Sequence, residues 1–329
     1  MLTQSSFSDQ EYAAKGYITR RDRLLRDLDA VIPWAALLAT IEPVYPKGEG
    51  RGRPPIGLEK MLRMYIAQQC LGLSDEGIED ALYDSHAVRR FVGMDLARDT
   101  APDATTLLRF RRLLEAHQLT QAMFEAINRH LADKGLLMRK GTVVDATIIS
   151  APSSTKNRSK ARDPEMHQTK KGEQWYHGLK AHIGTDAESG VTHTLVTTPA
   201  NTADLNVAHA LLHGNEKVVF ADSGYQGAEK RPEQAQVQAT WHVAMRPGKR
   251  KALADDAHGR VLERIEKLKA SVRAKVEHAF HVVKNLFKMR KVRYRGLAKN
   301  TAQLYTLFGM ANLVRVKRRL FELDTLNPS

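Results

Sequence analysis

Three carboxylates of the sequence lie in segments that could bring them together. Asp145 lies inside the apolar, β-branched segment VVDATII, and Asp222 ends the apolar segment KVVFA. Glu277 belongs to a long segment with helical periodicity, on the same face as Arg273 and Lys284. A few carboxylates can hold two metal ions that activate a water or a 3′-hydroxyl and stabilise the leaving oxygen of a phosphodiester. These residue types therefore indicate metal-dependent phosphoryl transfer.

Each carboxylate taken alone also has a structural interpretation. Asp145 could lie at a strand edge or make a structural hydrogen bond, although a lone ionised carboxylate in a buried strand is costly. Asp222 could form an Asx turn at the end of its strand, and Glu277 could belong to a solvated helix face. Taken together, the three favour a site for Mg²⁺, which prefers carboxylate and water oxygens, beside basic residues that hold phosphates.

The net charge of +14 is concentrated in one part of the chain. Residues 1–245 carry 30 basic and 30 acidic side chains, whereas residues 246–319 carry 21 basic and 5 acidic side chains. A local positive field of this kind attracts a polyanion, and nucleic acid is the usual one. A basic solvated surface is the alternative interpretation.

The composition excludes several classes of protein. The single cysteine, Cys70, cannot form an intrachain disulfide or a Cys-based zinc site, which favours a reducing cytoplasm. The longest apolar runs have 11 residues, fewer than the roughly 18 that span a bilayer. The N-terminal residues show no secretory signal pattern. We therefore expect no membrane partner.

The elements that must position the carboxylates fall into two parts. Helical spacing of apolar residues predicts five helices before residue 141: Arg20–Val31, Leu58–Gln69, Ser74–Tyr83, Asp103–His117 and Thr120–Lys134. Strand patterns then occur within residues 141–152, 176–185, 191–198, 217–222 and 240–245, with helices predicted at 203–213 and 258–288. This order predicts an α/β, ribonuclease H-like domain, a mixed five-stranded sheet flanked by helices, preceded by an all-helical N-terminal domain. The polar stretch 153–174 is predicted to be a long exposed loop.

Several long motifs extend the argument from residues to a family. They are GRPPIGLEKMLRMYIAQQCLGLSDEGIEDALYDS, VDATIISAPSSTKN, RDPEMHQTKKGEQWYHGLKAHIG, ADSGYQGA and VRAKVEHAFHVVK. With these motifs the chain resembles the DDE transposases of bacterial insertion sequence family five, within the grouping related to insertion sequence family four. That grouping has a signature of Tyr, Arg, Glu and Lys at fixed spacing. Arg273, Glu277 and Lys284 fit the signature, whereas Ala270 stands at the position of the Tyr.

The resemblance implies an enzyme that cleaves DNA at the terminal inverted repeats of its insertion sequence and transfers the freed 3′-hydroxyl ends into target DNA. It implies Asp145, Asp222 and Glu277 as catalytic residues that hold Mg²⁺, with Mn²⁺ able to substitute. It also implies a homodimer that pairs the two element ends, in the bacterial cytoplasm and at the nucleoid when bound to DNA. The implied domains are a helical DNA-binding domain, residues 1–137, and a catalytic domain with a basic C-terminal helical region, residues 138–329.

Eight basic residues are candidates for contacts with DNA: Arg273, Lys284, Lys180, His182, Lys170, Lys171, Arg109 and Arg112. Lys180 and His182 share one face of a predicted strand, either near the scissile phosphate or on the sheet surface. Lys170 and Lys171 belong to the predicted loop, which either orders on DNA or stays solvated. Arg109 and Arg112 face phosphates or are ordinary surface charges of a helix. The spacing of His177, His193, His209 and His213 predicts no zinc site.

Two other classes of protein share some of these features. One is a DNA-binding regulator of the element that no longer catalyses, against which the intact carboxylates argue. The other is a ribonuclease H-like nuclease or junction resolvase, which shares the metal chemistry but has no need of more than a hundred residues of end-reading helices.

Overall fold

The computed structural model describes residues 14, 16–48, 54–138, 140–158, 160–234 and 238–326. The chain forms two compact units, one comprising Met1–Ile127 with Lys317–Ser329 and the other comprising Asn128–Val316. A helical N-terminal region is followed by a mixed sheet with helices, which confirms the predicted α/β, ribonuclease H-like fold class. Within the described ranges, no helix combines the length and the apolar composition that a bilayer span requires.

The helices that precede the sheet have boundaries that agree with their capping residues. They are α1 (Arg20–Val31), α2 (Trp34–Ile41), α3 (Leu58–Leu71), α4 (Asp75–Asp84), α5 (His86–Val92), α6 (Ala104–Ala116) and α7 (Leu119–Asp133). Asp103 caps α6, because its carboxylate accepts the backbone N–H of Thr106 at 2.6 Å. Gly135, with a φ of +68°, follows α7 in the left-handed conformation that favours glycine. The five predicted helices are confirmed, whereas α2 and α5 are too short to show a clear period.

Within the residues that the structure describes, the sheet has six strands. They are β1 (Gly141–Ser150), β2 (His167–Lys171), β3 (Gln174–Asp186), β4 (Thr192–Pro199), β5 (Val218–Ala221) and β6 (Thr240–Val243). Along one edge β3 pairs antiparallel with β1, and along the other edge it pairs first with β2 and then with β4. The pairs β1–β5 and β5–β6 are parallel. The sheet is therefore mixed.

Strand β2 accounts for the sixth strand where five were predicted. It forms inside the stretch that was predicted to be an exposed loop. Most of its side chains are exposed, so the sequence carries no alternation of apolar residues there. Backbone pairing with the first residues of β3 defines the strand instead.

The helix predicted over residues 203–213 is wrong. Two 3₁₀ turns, Asp204–Asn206 and Ala208–Leu211, take its place. The backbone bonds in these turns reach three residues back, which suits short pieces of chain. Val207, Ala208 and Leu211 nevertheless pack in a core cluster with residues of β1 and β5. The apolar spacing thus reflects burial beneath the sheet and not a regular helix.

In the described chain after β6, the helices are α8 (Pro247–Lys251), α9 (Ala257–His281) and α10 (Leu297–Leu326). Helix α9 packs against β1 and β5, with Val276, Ala279 and Phe280 buried. The predicted helix reached Lys288, but the chain widens into a π turn at Val282–Leu286.

Helix α10 was not predicted. Nearly all of its residues between 303 and 313 are buried. A helix that is apolar on most sides shows no stripe of period 3.6, so the sequence revealed only an apolar run.

Candidate active site

Asp145 and Asp222 lie side by side on neighbouring strands. Val144 of β1 pairs with Ala221 of β5 in a parallel register, and Asp145 and Asp222 are the residues that come next in the chain. Adjacent strands lie about 4.8 Å apart. Burial raises the pKa of Asp145 to about 6, and the negative charge of Asp222 adds to that effect. The two carboxylates therefore interact electrostatically within one site.

Asp222 opens a tight turn at the end of β5. Its Oδ1 accepts the backbone N–H of Gly224 at 2.8 Å, which starts the 3₁₀ turn Ser223–Tyr225. This is the Asx turn that the sequence left open as an alternative, and it fixes the orientation of the carboxylate. A side chain at Gly224 would lie 3.0 Å from the same Oδ1, so the glycine lets the chain turn beside the carboxylate.

Tyr225 ends this turn and was not among the predicted site residues. The side chain is fully buried, and its hydroxyl has no hydrogen-bond partner among the described residues. Burial raises the pKa of Tyr225 well above its ordinary value, and the charges of Asp204, Asp145 and Asp222 raise it further. The buried hydroxyl is thus exposed to the negative charge of all three carboxylates. Its position after a strand suggested only a turn, and a tyrosine there gives no distinct signal.

Glu277 lies on α9 between two residues that connect the helix to the region of β1. Arg273, one turn before it, lowers the pKa of Asp145 through its positive charge. Beyond it, Lys284 Nζ donates a hydrogen bond to the carbonyl oxygen of Ile148 in β1, at 2.8 Å. Glu277 shares a helix face with Arg273 and is exposed. The helix that carries Glu277 therefore packs against the strand that carries Asp145.

Of the two basic residues of the signature, Lys284 contacts a protein group. Burial lowers the pKa of Lys284, and the positive charges of Lys171 and Arg290 lower it further. Its hydrogen bond to Ile148 identifies it as a link between helix and strand, where the sequence predicted a contact with DNA. The Nε of Arg273 is buried and, among the described residues, has no hydrogen-bond partner.

Strand β2 brings Lys171 close to the carboxylates. The positive charge of Lys171 lowers the pKa of both Asp145 and Lys284, although Lys171 is exposed on β2. Its neighbour Lys170 is also exposed and forms an ion pair with Glu173 at 3.6 Å. The backbone pairing of β2 with β3 thus positions a cation that the sequence placed on an unstructured loop.

Lys180 and His182 extend from the face of the sheet opposite to Asp145. They pair with Ile148 and Ala146 of β1, whereas Asp145 pairs with Ile183. Lys180 Nζ donates to Asp204 Oδ1 at 2.9 Å. These positions favour the packing interpretation over a contact with the scissile phosphate.

His182 in particular exposes no surface to DNA. Its side chain is fully buried, and Nε2 lies 2.8 Å from Thr198 Oγ1. Burial lowers the pKa of His182 to about 4, so the ring is neutral at pH 7. The predicted DNA contact of His182 is therefore not available in this structure.

The arginines of α6 divide into two kinds. Arg111 is buried and donates two hydrogen bonds to the carboxylate of Asp75, at 2.6 and 2.9 Å. Arg109 and Arg112 are exposed. Only the latter two have guanidinium groups that are accessible to a ligand.

Comparison with known families adds two matches. Residues 137–313, more than half of the chain, match the family model described as Transposase DDE domain. Residues 13–113 match the family model described as Transposase domain (DUF772). The first match contains Asp145, Asp222 and Glu277.

Proposed function

Because the chain belongs to the DDE transposases, within the grouping of insertion sequence families four and five, we propose that it moves a bacterial element of family five. It cleaves DNA at the terminal inverted repeats and transfers the 3′-hydroxyl ends into target DNA. The observation that carries this proposal is the register that sets Asp145 and Asp222 side by side, next to the helix of Glu277.

We assign Asp145, Asp222 and Glu277 to a site for Mg²⁺, with Mn²⁺ able to substitute. All three offer carboxylate oxygens, the donors that these hard cations prefer. The pKa of Asp145 is raised by burial and by the charge of Asp222, an electrostatic cost that a bound cation relieves. When bound, the metal ions activate the attacking water or 3′-hydroxyl and stabilise the leaving oxygen.

Three basic residues have separate roles in this proposal. Arg273 favours the ionised form of Asp145 through its positive charge. Lys171, which is exposed, holds a phosphate of the bound strand. Lys284 is a positioning residue, because its hydrogen bond to Ile148 holds the helix of Glu277 against the strand of Asp145.

We further propose that residues 1–137 recognise the element ends and that residues 138–329 carry the catalytic site. Support comes from the exposed Arg109 and Arg112 on α6 and from the basic stretch 246–319. A homodimer fits the inverted symmetry of the two ends, since a two-fold protein matches a palindromic arrangement of sites.

Mapping of cleavage on a supercoiled plasmid tests this function. The plasmid carries the DNA that flanks the gene in its own genome, and a plasmid with scrambled ends serves as the control. With Mg²⁺ we expect nicks that leave 3′-hydroxyls at matched inverted repeats, and none with Asp145→Asn, Asp222→Asn or Glu277→Gln. All three variants should still bind the ends.

Two results would contradict the proposal. Equal nicking of both plasmids would identify a nuclease that does not read the terminal sequence. End binding by the parent protein without cleavage in Mg²⁺ or Mn²⁺ would identify a regulator.

A further inference from the structure

We propose a second metal site, for Zn²⁺, formed by His193, His213 and Glu216. His193 lies in β4, and the other two residues lie in the loop that leads into β5. One candidate ligand atom from each residue lies within 4.8 Å of the others. Two imidazoles and one carboxylate form the nitrogen-and-oxygen donor set that suits Zn²⁺ better than Mg²⁺.

This site is distinct from the candidate active site. It surrounds Thr142, whose Oγ1 lies 3.0 Å from His193 Nε2 and 3.1 Å from Glu216 Oε1. Thr142 and Asp145 are three positions apart on β1, so their side chains leave opposite faces of the sheet. In addition, Glu216 precedes β5 whereas Asp222 follows it.

The carboxylate of Glu216 is buried, with no Lys or Arg paired with it among the residues that the structure describes. Its side chain has no exposed surface, and its carboxylate accepts the backbone N–H groups of His213 at 2.6 Å and Gly214 at 2.8 Å. In the part of the chain that the structure describes, no Lys or Arg forms an ion pair with it. An ionised carboxylate in such a place is costly unless a cation accompanies it.

His213 presents a nitrogen to this carboxylate at a distance suited to a shared metal ion. Its Nε2 is buried, has no hydrogen-bond partner among the described residues and lies 3.4 Å from Glu216 Oε1. Two ligands of a tetrahedral Zn²⁺ with bonds of about 2.0–2.1 Å are about 3.4 Å apart. If Nε2 binds the metal ion, the ring proton of His213 lies on Nδ1. The Nδ1 atom then no longer accepts its long contact, of 3.3 Å, from the backbone N–H of Asn215.

His193 has the hydrogen bond that typically supports a metal-bound imidazole. Its Nδ1 lies 2.8 Å from Thr194 Oγ1. Donation of the Nδ1 proton to that hydroxyl leaves Nε2, which faces Thr142 and Glu216, as the ligand. Thr142 then donates its own proton to Glu216, so each ligand is oriented by the protein.

Gly184 allows the two parts of the site to approach each other. A Cβ at this position would overlap the backbone oxygen of Leu211 and would lie 2.8 Å from His193 Cε1. The loop before β5 therefore packs directly on the strand that carries Gly184 and beside His193. A bound Zn²⁺ would fasten this loop to the sheet.

The test uses the full chain, freed of any histidine tag and stripped of metal with a chelator. The host is the triple variant Asp145→Asn, Asp222→Asn, Glu277→Gln, so that the candidate active site does not contribute. Zn²⁺ binding is measured by calorimetry, and Co²⁺ binding by its visible absorption. We compare the host with His213→Ala, His193→Ala and Glu216→Gln, and with His209→Ala as a matched control on an exposed histidine.

We expect one Zn²⁺ per chain in the host and in the His209→Ala variant, with a rise in Tm on binding. Each ligand variant should bind roughly tenfold more weakly or worse and lose that rise in Tm. Circular dichroism of the metal-free variants shows whether each is folded. If an alanine variant is not folded, Glu216→Gln still tests the site, because glutamine is neutral and has the shape and hydrogen-bonding oxygen of glutamate. Absence of stoichiometric Zn²⁺ binding in a folded host, or equal binding in all variants, would overturn the proposal and leave a metal-free pair of His213 and Glu216.

Discussion

At the scale of single residues, the site depends on charges that protein groups hold in place. Asp145 is influenced by Asp222 on one side and by Arg273 and Lys171 on the other. A second polar group consists of Lys180, His182 and Asp204, of which Lys180 and His182 lie on the other face of the sheet. Charged groups near β1 therefore lie on both faces of the sheet.

The lowered pKa of His182 predicts how the free energy of unfolding changes with pH. Its pKa is lowered to about 4 in the folded protein, against about 6.5 in an unfolded chain. The unfolded state thus binds a proton first as the pH falls, and the free energy of unfolding should decline by up to about 1.4 kcal/mol per pH unit between pH 6.5 and 4. Urea unfolding at several pH values, compared with His182→Gln, should give a flatter profile for the variant. Parallel profiles would exclude His182 as the source.

At the scale of elements, the proposed function would depend on how α9 is held against β1. The hydrogen bond from Lys284 to Ile148 and the buried residues Val276 and Ala279 fix the face that carries Glu277. The loop before β5 is held in a similar way by its close approach to β3 at Gly184.

Loss of the Lys284 link should reduce catalysis more than DNA binding. In Lys284→Met the carbonyl of Ile148 loses its side-chain donor, which costs about 1 kcal/mol of stability, and Glu277 loses its fixed position. Cleavage should fall by roughly tenfold or more, because small misplacements of catalytic groups are costly. Lys267→Met, an exposed lysine of the same helix, controls for the lost charge. Equal cleavage by the two variants would argue against a positioning role.

Gly184→Ala should destabilise the sheet at the point where the loop meets β3. The added methyl overlaps the backbone oxygen of Leu211, and relief of that overlap should cost about 2–3 kcal/mol. Gly248→Ala in α8 meets no atom within 4 Å and should be neutral or slightly stabilising. Thermal unfolding distinguishes them, and an unchanged Tm for Gly184→Ala would show that the backbone there moves freely.

The sequence predicts correctly those elements in which a periodic pattern ends at a clear capping or turn residue. Asp103 and Gly135 mark helix ends that the structure shows, and the apolar runs around Asp145 and Asp222 are adjacent parallel strands. It failed where tertiary contacts decide the structure. Strand β2 is defined by pairing with β3, and Lys180 and His182 lie on the far face because of the β1–β3 register. No local pattern contains that information.

At the scale of the whole molecule, the chain separates neutral and basic parts. Residues 1–245 have no net charge, whereas residues 246–319 carry 21 basic and 5 acidic side chains. Neutralisation of phosphates by such a stretch releases counterions, so the affinity for DNA falls steeply with salt.

The salt dependence of DNA affinity should change when lysines of residues 246–319 are replaced, and should not change when control lysines of residues 1–245 are replaced. Lys249→Gln with Lys251→Gln should reduce the slope of log affinity against log salt by about 1–2 on nonspecific duplex DNA. Both lysines are exposed, as are Lys217 and Lys230 in the neutral part, whose double Gln variant is the control. Fluorescence anisotropy gives the slopes, and an equal change in both variants would contradict a role for the stretch.

Strand β2 has one more consequence, for solubility. It forms part of the rim of the sheet, where unpaired backbone groups are a template for strands of other chains. Its exposed lysines, Lys170 and Lys171, oppose such pairing because two copies brought edge to edge would repel each other. Replacement of these lysines by apolar, β-branched residues would leave an exposed edge strand that can pair with other chains. The lysines predicted to contact DNA therefore also protect the protein from aggregation.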